Sequence, residues 1–201
     1  MRRLLFTALL CTSFFVSSEE TISRWMSDYF KRIHDHIGNE NYEKAEYELE
    51  MGNNNYFRGG RTYEAALLYQ LYGQFYAVQS QYTEAVPWFE KALATDKMPR
   101  IGAQEVRFQL AQTYFMIGKY ENVISLLEEF IRVGERYKYP VSARANLLMS
   151  YSHGRLEQYE PSYYHIKQAN NKSDKPQIDW IEYAFSLAMK LENLDDAEDL
   201  A

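Results

Sequence analysis

An anchor residue recurs five times along this chain at intervals of about 35 to 40 residues, and it opens the same short pattern each time. Tyr82 is followed at helical spacing by Ala85, Phe89 and Ala92. Tyr120 leads to Val123, Leu127 and Phe130, and Tyr159 to Ser162, Ile166 and Ala169. Tyr42 leads to Ala45, Leu49 and Gly52, and Leu194 to Ala197 and Ala201. Upstream of the middle three anchors stands a small residue, Gly73, Ala111 or Ser150, with Tyr76, Tyr114 or His153 a turn later. Two helices approach closely only where side chains are small, and a large ring beside the contact fills the groove that remains. A period of this length restricts the chain to stacked two-helix units, because one such unit cannot bury its apolar face alone.

The pattern predicts an all-α chain of about five helix-turn-helix units near 20–56, 62–96, 103–134, 140–170 and 177–201. Pro99, Pro140 and Pro176 fall between units, where they stop helices. Pro87 and Pro161 are expected in first turns, where a backbone N–H is spare. Polar loops are expected at 53–55, 59–60 and 170–174. The fifth unit breaks off inside its second helix, so its apolar face is expected to be covered by a longer chain, a partner or a second copy.

The opening residues have the order of a secretory signal over 1–18: Arg2 and Arg3, an apolar stretch from Leu4 to Val16, then Ser17 and Ser18. The stretch is short for a membrane span, and no later run approaches that length. Cys11, the one cysteine, lies inside it, so the mature chain, 19–201, is expected to hold itself together without disulfides. The formal net charge of −6 becomes about −8 on cleavage, with no basic stripe, which argues against nucleic acid as a partner. An exported, periplasmic protein is expected.

Chemistry is sparse. His34 and His36 point about 200° apart on a helix and cannot share a metal. His153 takes a groove-filling position, and His165 follows Tyr163 and Tyr164 on a surface-facing stretch. Arg58-Gly59-Gly60-Arg61 reads as a turn, since no Gly-Lys-Ser/Thr follows it. No nucleophile elbow occurs, and Asn171-Lys172-Ser173 matches a glycosylation sequon. The expectation is a non-enzymatic chain with no metal and no cofactor.

The stretch GQFYAVQSQYTEAVPWFEKAL, and QLAQTYFMIGKYENVISLLEEF with Leu110, Ala111, Tyr114, Gly118 and Tyr120, resemble the tetratricopeptide repeat family. Ile33 and Phe185 depart from it at the close-approach position of the terminal units. The resemblance implies a right-handed α-solenoid whose concave face is lined by first helices. Carried onto this chain, those positions are Gln70, Gln74, Phe108, Gln112, Phe115, Arg144, Tyr151 and Arg155, with core packing as the competing role for Phe108 and Phe115. Aromatic, amide and Arg side chains suit a surface that holds a segment of a protein partner. The chain also looks like exported tetratricopeptide proteins associated with TonB–ExbB–ExbD systems of Gram-negative bacteria, through the runs quoted, Tyr42-Glu43-Lys44-Ala45 and Trp180. That likeness implies a periplasmic adaptor supporting uptake of iron complexes and similar nutrients. An adaptor in outer-membrane or cell-wall assembly, or the docking arm of a longer enzyme, are the alternatives.

Overall fold

The computed structural model describes residues 22–56 and 62–193, together with 195, 197 and 198. The signal-like segment, the Arg58-Gly59-Gly60-Arg61 turn, Leu194 and Ala201 lie outside the described residues. Those described form nine α-helices and no strand: α1 (Arg24–Gly38), α2 (Tyr42–Met51), α3 (Tyr63–Val78), α4 (Tyr82–Ala94), α5 (Arg100–Met116), α6 (Tyr120–Tyr137), α7 (Ala143–Arg155), α8 (Tyr159–Lys172) and α9 (Ile178–Lys190). They belong to two compact units, one up to Thr113 and one from Tyr114 onward.

Each anchor tyrosine is the first residue of its helix: Tyr42 of α2, Tyr82 of α4, Tyr120 of α6 and Tyr159 of α8. Two residues before each anchor the backbone turns left-handed, at Glu40, Ser80, Gly118 and Glu157, and again at Glu192 before Leu194. The next amide donates back across the turn: Asn41 to the His36 carbonyl, Gln81 to Tyr76, Lys119 to Tyr114, Gln158 to His153 and Asn193 to Ala188. This closure satisfies carbonyls at the helix end. Only Gly118 adopts it without steric cost; the other four carry side chains into it.

In the first unit, α3 and α4 meet at Gly73. A Cβ there would stand 2.6 Å from Phe89 Cδ1 and Cε1, so the ring lies directly on the glycine. Phe89, Ala85 and Ala92 are fully buried, and burying a Phe side chain contributes about 1.5–3 kcal/mol. Trp88 stacks on Tyr72, with centroids 4.0 Å apart and planes 9° apart. Thr62 caps α3 by accepting from the Ala65 amide at 3.2 Å. Ile33 of α1 is fully buried, as are Ala45 and Leu49 of α2. The Tyr29 hydroxyl donates to the Glu48 carbonyl.

In the second unit, the α7–α8 crossing has serines where α3 and α4 have Gly73 and Ala85. Ser150 Oγ donates to the Ser162 carbonyl at 2.7 Å, and Ser162 Oγ donates to the Ser150 carbonyl at 2.8 Å. Both hydroxyls are buried, and the reciprocal pair leaves neither unsatisfied. Leu147, Tyr163, Ile166, Ala169, Ala184, Leu187, Ala188 and Ala197 form one hydrophobic cluster in this unit.

Several local expectations are corrected. Pro87 lies inside α4 beyond its first turn, where it cannot supply the N–H that the Thr83 carbonyl would accept; Thr83 is exposed, so water can serve that carbonyl. Pro161 does fall in the first turn of α8. The 53–55 stretch is not a loop but part of a π-helical turn, Gly52–Tyr56, extending α2. At its start Gly52 leaves room for Tyr29 and Leu68: a Cβ there would meet the Tyr29 hydroxyl at 2.7 Å and Leu68 at 3.1 Å. Asn170, Asn171 and Lys172 likewise belong to α8. Helix α6 continues past 134 to Tyr137, where Lys138 turns left-handed and closes it.

Candidate functional site

Gln70 and Gln74 of α3 are half-buried. Gln70 Nε2 donates to Gln109 Oε1 of α5 at 3.2 Å, so an amide pair joins two first helices within the first unit. Phe108 and Gln112 of α5 are half-buried as well, and Gln112 Oε1 is enclosed with no hydrogen-bond partner among the described residues. Phe115 stands with the second unit. It is half-buried, and its ring packs edge-on against Tyr120, with centroids 5.4 Å apart. Phe108 and Phe115 are therefore neither wholly surface nor wholly core.

The remaining three residues share one helix. Arg144, Tyr151 and Arg155 of α7 are seven and four residues apart, which places them within about 40° of one another around the helix axis. Arg144 and Arg155 are exposed and Tyr151 is half-buried, while Leu147 and Leu148 of the same helix are buried. Ser142 starts the helix by accepting from the Ala145 amide at 3.3 Å. The Tyr151 ring meets Tyr183 of α9 edge-on, with centroids 5.1 Å apart. Burial pushes the Tyr151 hydroxyl pKa up, and Asp179 and Tyr183 add to the shift. Tyr183 in turn reaches Gly154, where a Cβ would stand 2.1 Å from its hydroxyl, and it contacts Ser162 Oγ at 3.1 Å.

Gln109 and Tyr183 were not in the sequence-based set. Tyr183 had a readable signal, a tyrosine in the helix that follows a Gly-containing one; Gln109 had none, because a glutamine outside the repeat positions carries no local mark of its partner.

His153 does not simply fill a groove. Its ring stacks on His165 of α8, with centroids 5.5 Å apart and planes 5° apart, and its Nδ1 lies 2.7 Å from Gln158 Oε1. His165 is half-buried rather than surface-facing, with Nδ1 3.3 Å from Asn146 Oδ1. Burial, then His153 and Lys172, lowers its pKa to about 4. Among the described residues no group of three or more His, Cys, Asp or Glu is placed to hold a metal. No helix among them is long and apolar enough to cross a membrane.

No protein-family model and no curated protein sequence matches the chain. Solved structures do. A MamA double mutant, RS-1 ArsTM, superposes with a TM-score of 0.69 at 15% identity, covering 90% of this chain and 92% of that one. MamA 41-end from Desulfovibrio magneticus RS-1 gives 0.68 at 18% identity, covering 90% and 93%. YrrB, described as a TPR protein with an unusual peptide-binding site, gives 0.67 at 16% identity, covering 86% and 80%. The fold is thus the all-α solenoid class of the tetratricopeptide repeat proteins, as the resemblance in sequence implied.

Proposed function

We propose that this chain is a non-enzymatic scaffold that holds a segment of a protein partner on the exposed faces of its first helices. The observation that carries the reading is the α7 stripe, where two exposed arginines flank Tyr151. Arginine and tyrosine are enriched where proteins bind one another. The likeness in fold to YrrB, a protein with a peptide-binding site, supports it. Gln70, Gln74, Phe108 and Gln112 in the first unit, and Phe115 in the second, are the further contact residues of the proposal.

The particular setting proposed is the periplasm, with the chain as an adaptor to a TonB–ExbB–ExbD energy-transduction complex. The signal-like order at 2–18 and the runs quoted above support that placement. In-cell cross-linking of the tagged protein, followed by mass spectrometry, tests both levels. Recovery of TonB, ExbB or ExbD, lost in Phe108→Ala and Arg155→Ala proteins of unchanged helicity, is the expected result. Recovery of cell-wall synthases or outer-membrane assembly factors with the same losses would move the setting and keep the scaffold. A recovered set indifferent to these substitutions would refute the scaffold. Phe115→Ala belongs in the series: a collapse of its unfolding midpoint would assign that residue to the core.

A further inference from the structure

We infer that the junction of α2, α3 and α4 binds an alkylammonium ion, its N–H groups shared among Glu46, Glu50 and the Tyr72 oxygen and its methylenes lying on Trp88 and Tyr76. The site stands on other helices than the α7 stripe and does not rest on the scaffold reading. Helix α3 packs against both α2 and α4. Tyr72 and Tyr76 are four residues apart on α3, and Glu46 and Glu50 four apart on α2, so each pair shares a helix face. Tyr72 is only 5% exposed, yet its hydroxyl makes no hydrogen bond to any described residue. A buried phenol is ordinarily paired, so this one is an open position. Its ring is held in place by Trp88, stacked on it with centroids 4.0 Å apart. Trp88 and Tyr76 are half-buried and keep part of their rings at the surface.

The field at the open hydroxyl is negative. Burial raises the Tyr72 pKa, and Glu50, Tyr76, Tyr29 and Glu46 add to the shift. Burial likewise raises that of Tyr76, with Glu46, Glu50 and Glu84 of α4 adding to it. Glu46 and Glu50 thus bear on both hydroxyls and Glu84 on one, and all three carboxylates are exposed. The only cations of these three helices are Lys44 and Lys91. Lys44 is two residues from Glu46, about 200° round the helix. Lys91 Nζ stands over the Trp88 ring at 4.4 Å and over Tyr69 at 5.4 Å. Carboxylate and phenol oxygens that converge with no donor between them suit a cation carrying N–H groups, which a quaternary ammonium lacks. Among the described residues no group of three or more His, Cys, Asp or Glu is placed to hold a metal, so charges separated along an apolar chain fit better than a compact ion. An ammonium also gains from aromatic ring faces, as Lys91 does on Trp88. The ligand chemistry is that of a linear polyamine or of a partner's lysine side chain.

Isothermal titration calorimetry of the full chain at low salt tests the site. Spermidine serves as the free amine, an acetylated and amidated Gly-Lys-Gly-Lys-Gly peptide as the lysine source, and magnesium chloride at matched ionic strength as the control for charge alone. Saturable binding of at least one amine source is expected, tighter than that of magnesium. Glu46→Gln combined with Glu50→Gln should weaken it at least about tenfold. Tyr72→Phe keeps the ring on Trp88 and removes only the open oxygen, so it should weaken binding at least about threefold while leaving the circular dichroism and the urea midpoint unchanged. A merely acidic surface would respond to the first variant and not to the second. Tighter binding of spermidine assigns the site to a free polyamine, and tighter binding of the peptide to a lysine-bearing partner. No saturable binding of either amine, affinity no better than that of magnesium, or either variant binding like the parent would overturn the inference.

Discussion

Gly154→Ala is the substitution on which the packing around the α7 stripe can be checked most directly. The new Cβ would stand 2.1 Å from the Tyr183 hydroxyl, a separation that forces the ring to move. Its next neighbours, Ser162 Oγ at 3.2 Å and Tyr183 Cζ at 3.4 Å, are tight but tolerable. Overpacking of this kind costs about 1–3 kcal/mol. Loss of the Tyr183–Ser162 hydrogen bond adds about 0.5–1.5 kcal/mol. Against this stands the gain from replacing a helical glycine by alanine, at most about 1 kcal/mol. The net expectation is destabilisation of about 1–3 kcal/mol, with Tyr151 losing its brace. Tyr183→Phe alone should cost only that hydrogen bond, about 0.5–1.5 kcal/mol, because Ser162 Oγ still donates to the Ser150 carbonyl. In the Tyr183→Phe background the clashing oxygen is gone, so Gly154→Ala should be neutral or stabilising. Urea unfolding of the four proteins gives the coupling energy directly, expected at about 1–3 kcal/mol. A coupling within about 0.5 kcal/mol of zero, or a Gly154→Ala protein more stable than its parent, would refute the reasoning.

Two further outcomes follow from particular contacts. Gly73→Ala should destabilise by about 1–2 kcal/mol despite its better helix propensity, because the buried Phe89 ring has nowhere to go; in a Phe89→Leu background the same change should cost less, read by urea unfolding. His165 should make stability fall on acidification: its folded pKa, about 4, lies below the ordinary 6.5, so the neutral ring is favoured by folding. That contribution is full above pH 6.5 and is lost as pH falls from there toward 4, by about 1–2 kcal/mol after allowance for its partial exposure. Unfolding free energies of wild type and His165→Gln measured across that range should converge at low pH, and parallel curves would sink the assignment.

The helical hairpins were legible because their determinants are local and periodic. Tyr82, Tyr120 and Tyr159 start helices, and Gly73 marks the closest approach, since steric size at fixed spacing is written into the chain itself. The left-handed turns at Ser80 and Glu157 were not legible, because nothing in a serine or glutamate signals that conformation; it is imposed by the closing hydrogen bonds of the finished turn. Nor was the position of Pro87, whose strong local preference for a first turn is overridden by the packing of Ala85, Phe89 and Ala92 on either side. At the candidate site the resemblance to the tetratricopeptide repeat family singled out Arg144, Tyr151 and Arg155, and the observed helix α7 puts them on one stripe. Exposure of the two arginines, burial of His165 and the approach of Tyr183 to Gly154 depend on which helices stand next to α7, and contacts between α7, α8 and α9 link residues too far apart in the chain for any periodicity to report.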